Sequence, residues 1–137
     1  MDDSILEKRG ANFYGFERID SLGKHHYQLA AIRGSGDIFL AKNEVCFNQW
    51  ITQKEYNIPL DKIIRIEIRT WHNLKMKLPG KVLRIHFKEG QKIKIFGIKL
   101  GGTLSLKGWK DDVYLWKEQI ESLMLSPLRK VFMFLID

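Results

Sequence analysis

IIRIEIRTWHNLKMKLPGKVLRIHFKEGQKIKIF, residues 63–96, is the stretch that decides the fold. In 63–69, Ile64, Ile66 and Ile68 alternate with Arg65, Glu67 and Arg69. In 82–88, Leu83, Ile85 and Phe87 alternate with Arg84, His86 and Lys88. In 91–96, Ile93 and Ile95 alternate with Lys92 and Lys94. A period of two with one apolar face predicts half-buried antiparallel strands. Glu89-Gly90 predicts a tight hairpin between the last two. If the strands pair in sequence order, Arg65, Glu67, Arg69, Arg84, His86, Lys88, Lys92 and Lys94 share one outward face. Glu67 is its single acid. Like charges opposite one another across a strand pair cost a few tenths to about 1 kcal/mol each, so such a face is either tolerated by solvent or used.

The connection TWHNLKMKLPGK, 70–81, interleaves Leu74, Met76 and Leu78 with Lys75, Lys77 and Lys81. Apolar residues flanked by lysines form the pattern of an insertion loop, whose tips enter lipid while the ammonium groups meet headgroups. We expect residues 72–80 to form an exposed loop, with Pro79-Gly80 returning the chain. Trp71 reads as core.

Upstream, YQLAAIR (27–33), DIFLA (37–41), EVCFNQWIT (44–52) and IPL (58–60) read as four further strands, with Gly34-Ser35-Gly36 as a turn. Pro59 limits its strand to an edge or an end. Downstream, GIKLGGTLSLKG (97–108) reads as a loop. From Trp109 the period changes. Trp109, Val113, Trp116, Ile120 and Leu123 are spaced 4, 3, 4, 3, which is one stripe of an α-helix. Asp111 and Asp112 suit its first turn. The helix ends before Pro127. The expectation is a mainly β chain with one C-terminal α-helix, in which seven strands form a bent barrel capped by that helix. Residues 1–26 read as an N-terminal extension packing on the barrel through Phe13, Tyr14 and Phe16. Residues 27–125 read as the domain and 126–137 as an apolar tail. VFMFLI (131–136) is open to three readings: an extra strand, a dimer contact, or the end of a piece of a longer chain.

The whole chain, 137 residues with 45% hydrophobic content, is long enough for one domain with its own core. Its net charge is +7. Residues 71–99 hold eight Lys and Arg against one acid, Glu89, an excess equal to that of the chain. This asymmetry points to an anionic partner. One cysteine, Cys46, leaves no disulfide framework within the chain. The start, MDDSILEKRG, carries acids where a secretion signal carries bases, so the cytoplasm is the expected location, with peripheral membrane attachment.

The order of elements resembles the pleckstrin-homology (PH) superfold. GDIFLAKNEVCF (36–47) is similar to the pattern G-x-L-x-L-T-x-x-x-L-x-F of its GRAM and bacterial-PH branches, with Ala41 in place of Thr. IPLDKIIRI (58–66) is similar to I-P-L-x-x-I-x-x-V, and Trp116 stands as the central aromatic of the helix. The GLUE branch, which binds phosphoinositide and ubiquitin, has the same fold. The resemblance implies a module that binds membrane lipid or protein, without catalysis. The first hairpin, AAIRGSGDIFL, carries Arg33 alone where many PH domains carry a basic cluster for inositol phosphates.

Candidate contact residues are Arg65, Arg69, Leu74, Lys75, Met76, Lys77, Leu78, Lys81, Arg84, Lys88, Lys92 and Lys94. The expected partner is anionic phospholipid. The alternative is an acidic protein surface, reached by strand or helix addition as in an adaptor. Nucleic acid is disfavoured, because the basic face lacks exposed aromatics for base stacking. His25-His26 lacks the further ligands a zinc site needs. His72 and His86 have no nucleophile partner, and neither glycine stretch lies between a strand and a helix as a phosphate loop must. No cofactor, metal or catalytic residue is expected.

Overall fold

The alternating segments do form antiparallel strands, but the sheet begins much earlier in the chain than the pattern suggests. The computed structural model describes residues 4–27, 34–72, 80–106 and 108–124. The strands are β1 (Leu6–Ile19), β2 (His25–Tyr27), β3 (Gly34–Leu40), β4 (Glu44–Gln49), β5 (Glu55–Pro59), β6 (Ile63–Arg69), β7 (Val82–Glu89) and β8 (Lys92–Lys99). A hairpin of β9 (Gly102–Ser105) and β10 (Gly108–Asp111) precedes the helix α1 (Val113–Met124). The order across the main sheet is β5-β4-β3-β1-β8-β7-β6, with β2 attached to β1. A mainly β chain with a C-terminal helix capping the sheet is as expected, but the path of seven strands holds β1 in place of the expected strand 27–33, whose residues 28–33 lie outside the described residues. The expected closure is not found: β5 and β6 are two edges, so the sheet is open.

The expected extension is in fact the central strand. β1 pairs with β3 through Leu6–Phe13 and with β8 through Asn12–Ile19, joining the two halves of the sheet. Its period of two is hidden by bulges. Gly15, at φ 87°, lies where the register with β8 shifts between Phe13 and Phe16. An extra residue in one strand flips the parity of the side chains beyond it. Phe13 and Phe16, three apart, therefore both reach the core, where their rings pack on Phe47, Tyr56 and Phe96 at centroid separations of 4.9 to 5.7 Å. Glu17 turns to the other face.

Gly34-Ser35-Gly36 is not a turn but the start of β3. A Cβ on Gly36 would lie 2.2 Å from the carbonyl oxygen of Asn48, so glycine here permits close approach of β4. The stretch read as a loop from Gly97 continues β8 and then forms β9. Consequently the helix starts at Val113 rather than Trp109, and Trp109 lies in β10 at 67% exposure. Asp111 Oδ1 accepts from the Val113 N–H at 3.1 Å, satisfying one free donor of the first turn. Lys8 Nζ and Asp112 Oδ2, 2.9 Å apart, tie this corner to β1. Val113, Trp116 and Ile120 face the core and Leu123 packs at its margin. The helix lies on β6, β7 and the short 3-10 turn Leu60–Lys62.

The β7–β8 turn resets the faces. Glu89 pairs with Lys92, so the two loop residues are Gly90-Gln91, with Gly90 at φ 65° as the first position of such turns favours. A two-residue loop pairs odd positions of β7 with even positions of β8. Leu83, Ile85 and Phe87 thus stand opposite Ile98, Phe96 and Lys94 on the core side. Ile93 and Ile95 stand opposite Lys88 and His86 on the outer side. The expected single basic face is therefore split, because Lys92 and Lys94 belong to the other side. A register shift between Ile63 and Arg65 does the same on β6: Ile63 enters the core, and Ile64 is left 43% exposed.

Candidate functional site

The outer side of β6, β7, β8 and β1 holds a second buried layer that carries charge. Arg84, expected to face solvent, is 2% exposed. Its Nε donates to Glu67 Oε1 at 2.7 Å. Its Nη1 donates to Glu17 Oε2 and, at 3.0 Å, to His72 Nδ1. The Trp71 ring covers it, with the guanidinium carbon 4.1 Å from the ring centroid. Trp71 is thus a half-exposed lid rather than core. Glu17 and His72 have no exposed surface. A buried cation needs paired carboxylates and satisfied donors. Glu17 from β1 and Glu67 from β6 supply them from both flanking sides.

His72 anchors the entry to the 70–81 connection. Its Nε2–H donates to the carbonyl oxygen of Gly15 at 2.7 Å, which leaves Nδ1 to accept from Arg84. Its ring lies flat over Gly97, where a Cβ would come within 2.3 Å of it. The other stem is held by the Lys81 N–H donating to Asp111 Oδ2 at 3.3 Å. His72 is therefore buried structure and no part of an exposed loop. Leu74, Lys75, Met76, Lys77 and Leu78 lie outside the described residues.

Burial pulls the His72 imidazole down to about 4, and the Arg84 charge adds to this, against the opposing pull of Glu17 and the bond to Gly15. His86 is also lowered, again mainly by burial, although its Nε2–H donates to Glu67 Oε1 at 3.0 Å. Burial alone would raise Glu67, but its bonds to Arg84 and His86 outweigh that and hold it at about 2. These shifts fix the sign of the pH response. Between the unfolded histidine value of about 6.5 and the folded value near 4, the unfolded chain binds more protons, so stability falls as pH drops through that window. The Glu67 contribution is complete above about 4.5 and is lost as pH falls towards 2. Urea unfolding between pH 8 and 4 is expected to show declining stability below about pH 6.5. His72→Gln, whose amide nitrogen replaces the Nε2 donor, should flatten that decline. An unchanged pH profile in this variant would place the titration elsewhere.

Above the buried layer opens a cavity of about 410 Å3. Ile19, Ile64, Ile93 and Trp71 form its apolar walls, and Arg65, Arg69 and His25 stand around it, with Glu67 and His86 beneath. Arg65 Nη2 and Arg69 Nη2 approach the same Glu67 Oε2 at 3.5 and 3.4 Å, while their side chains stay 64% and 52% exposed. Of the expected contact residues, the structure brings Arg65, Arg69 and Arg84 together, with Arg84 as buried support. Lys88 is exposed at the far end of β7. Lys94 lies on the opposite side, 3.1 Å from Glu89 Oε1 and 5.2 Å from the Phe16 ring centroid. Lys94 there lines a smaller cavity of about 250 Å3 with Phe16, Arg18, His26 and Tyr27. Sequence reasoning missed Glu17, because the bulge at Gly15 conceals its strand. It also missed Ile19, which the β1–β8 pairing sets beside Ile93, and His25, which the β1–β2 pairing sets beside Ile19.

Among the described residues, no group of three or more His, Cys, Asp or Glu could hold a metal ion, and no helix is long and apolar enough to cross a membrane. No protein-family model matches the chain. No curated protein matches it. Among solved structures, it is similar to the C-terminal domain of an unknown protein from Leishmania infantum, with a TM-score of 0.51 and 12% identity over 90% of this chain and 84% of that one. At that identity the likeness shows the fold alone.

Proposed function

We propose that the chain is a non-catalytic binding module of PH-like type, related to the GRAM and bacterial-PH branches, that attaches peripherally to anionic membrane lipid. The observation that carries this reading is at the end of the sheet where β1 turns into β2. Leu22, at the tip of that turn, is 91% exposed. The pairs Ile19–Ile93 and Arg18–Lys94 put the β7–β8 turn beside it. Arg18, Lys24, Lys88, Lys92 and Lys94 gather there against Asp20 and Glu89. A basic residue near an anionic surface contributes about 1 kcal/mol, and burying a leucine about 1.5–3 kcal/mol. The surplus of cations plus one apolar tip supports weak, reversible, salt-sensitive attachment.

The test is co-sedimentation with neutral and anionic liposomes at two salt concentrations. Binding is expected to anionic vesicles alone, to fall with added salt, and to fall with K88E/K92E or L22S. Arg84 is unsuitable for reversal, since it is structural. Replacing Leu74, Met76 and Leu78 with Ser shows whether the 70–81 connection, at the opposite end of β6, takes part. If the protein ignores anionic vesicles at low salt, the reading fails. A protein-interaction module then stands in its place, favoured by β6, which is an edge strand among the described residues and to which a partner strand could add.

A further inference from the structure

The cavity above the Arg84 layer opens on the outer side of β6, β7, β8 and β1; Ile19, His25 and Ile93 at one end of it adjoin the proposed membrane-facing turns, but its chemistry is distinct. Three arginines meet two carboxylates there. Arg84 is committed to Glu17 and Glu67, and Glu67 Oε1 also takes the His86 N–H. Its remaining oxygen, Oε2, is shared by Arg65 and Arg69 at distances beyond the usual 2.7–3.2 Å of an N–H···O bond. With His72 and His86 held neutral by burial, the three arginines and two carboxylates carry one surplus positive charge. That charge resides on two guanidinium groups, each more than half exposed; apart from Arg69 Nη1, 3.4 Å from the Ile68 carbonyl oxygen, and the two approaches to Glu67, their donors have no partner among the described residues.

Around these donors the surface is apolar. Trp71 is 40% exposed and Ile64 43%. The volume of about 410 Å3 falls within the range of roughly 300–1,000 Å3 typical of small-molecule sites. An oxyanion with two acceptor oxygens, a carboxylate or a phosphate, matches two converging guanidinium groups. One negative charge neutralises the surplus. Two would leave net negative charge in a half-enclosed space beside Glu67.

We infer that this cavity binds an amphiphilic monoanion, with a carboxylate or phosphodiester held between Arg65 and Arg69 and an apolar body laid on Ile64 and Trp71. The two headgroups correspond to two sources, a fatty or aromatic acid and a lipid diester. Polyphosphorylated ligands without an apolar body are excluded by the same charge balance.

Calorimetric titration of the full chain at pH 7 tests this with octanoate, octanol, octyl phosphate, dihexanoyl phosphatidylglycerol and inositol hexakisphosphate. Octanoate or the phosphatidylglycerol is expected to bind about tenfold more tightly than octanol, the effect of a charge-assisted hydrogen-bonded pair at a half-exposed site. Whichever of the two binds more tightly identifies the source. Octyl phosphate should gain nothing over octanoate, and inositol hexakisphosphate should not compete. R65Q/R69Q should remove the preference for charge, and W71L should weaken charged and neutral probes alike. Should a variant fail to fold, amide and indole shifts of the unaltered protein during octanoate titration serve instead, and they must centre on Arg65, Arg69 and Trp71. Equal affinity for octanol and octanoate, tighter binding of the dianion, or shifts centred elsewhere overturns the proposal. No vesicle enters these measurements, so this site and the membrane reading can fail separately.

Discussion

Arg84→Met lowers the unfolding free energy by about 3–5 kcal/mol, the usual cost of removing one partner from a buried ion pair. The methionine keeps much of the side-chain length, so the loss is electrostatic. Glu17 has no exposed surface, so its carboxyl would be left in a site out of reach of water without its guanidinium partner, a cost whether it stays ionised or takes up a proton. Glu67 would lose its 2.7 Å bond, and the Trp71 ring the cation beneath it. Urea unfolding measures the effect. Adding Glu17→Gln should recover a good part of the loss, since the neutral amide no longer needs a cation. A loss under about 1 kcal/mol in the single variant would show that water reaches the network and that its charges are not buried.

Trp116→Ala is expected to cost a similar amount, about 3–5 kcal/mol, as an aromatic truncation in the core. Trp116 is 2% exposed and seats the helix on β6 and β7. Trp109→Ala is the matched control. The two tryptophans share one helical stripe in the sequence, but Trp109 stands in β10 at 67% exposure. Its replacement should change stability by no more than about 0.5 kcal/mol. Equal losses in the two variants would place Trp109 in the core and the helix start four residues earlier. Thermal or urea unfolding, with helical circular dichroism followed in parallel, separates these outcomes.

Part of this architecture was legible because its signal is local. β6 and β7 announce themselves by alternation, and Ile66, Leu83 and Ile85 are buried as that pattern requires. Val113, Trp116 and Ile120 are likewise the buried side of α1. The central strand was hidden for a physical reason. Bulges at Gly10 and Gly15 shift the parity of β1, so its core residues Ala11, Phe13 and Phe16 follow no single period. The hairpin of β9 and β10 was hidden by its glycines, which read as loop.

The candidate site shows the division most clearly. By itself the sequence determined which side chains alternate with the core residues of β6 and β7, and hence that Arg65, Glu67, Arg69, Arg84 and His86 share one side. Whether that side is wet or buried was decided only by the tertiary structure. The two-residue turn Gly90-Gln91 places Ile93 and Ile95 there instead of Lys92 and Lys94. Glu17 arrives from β1 and His72 from the end of β6, enclosing Arg84. Alternation is set by neighbours two residues apart, where the chain's own geometry acts. Burial is set by segments distant in sequence, here 67 residues for Glu17 and Arg84, whose meeting depends on register and bulges. A row of bases that reads as a surface from its own strand thus becomes the base of a pocket once the other strands are paired.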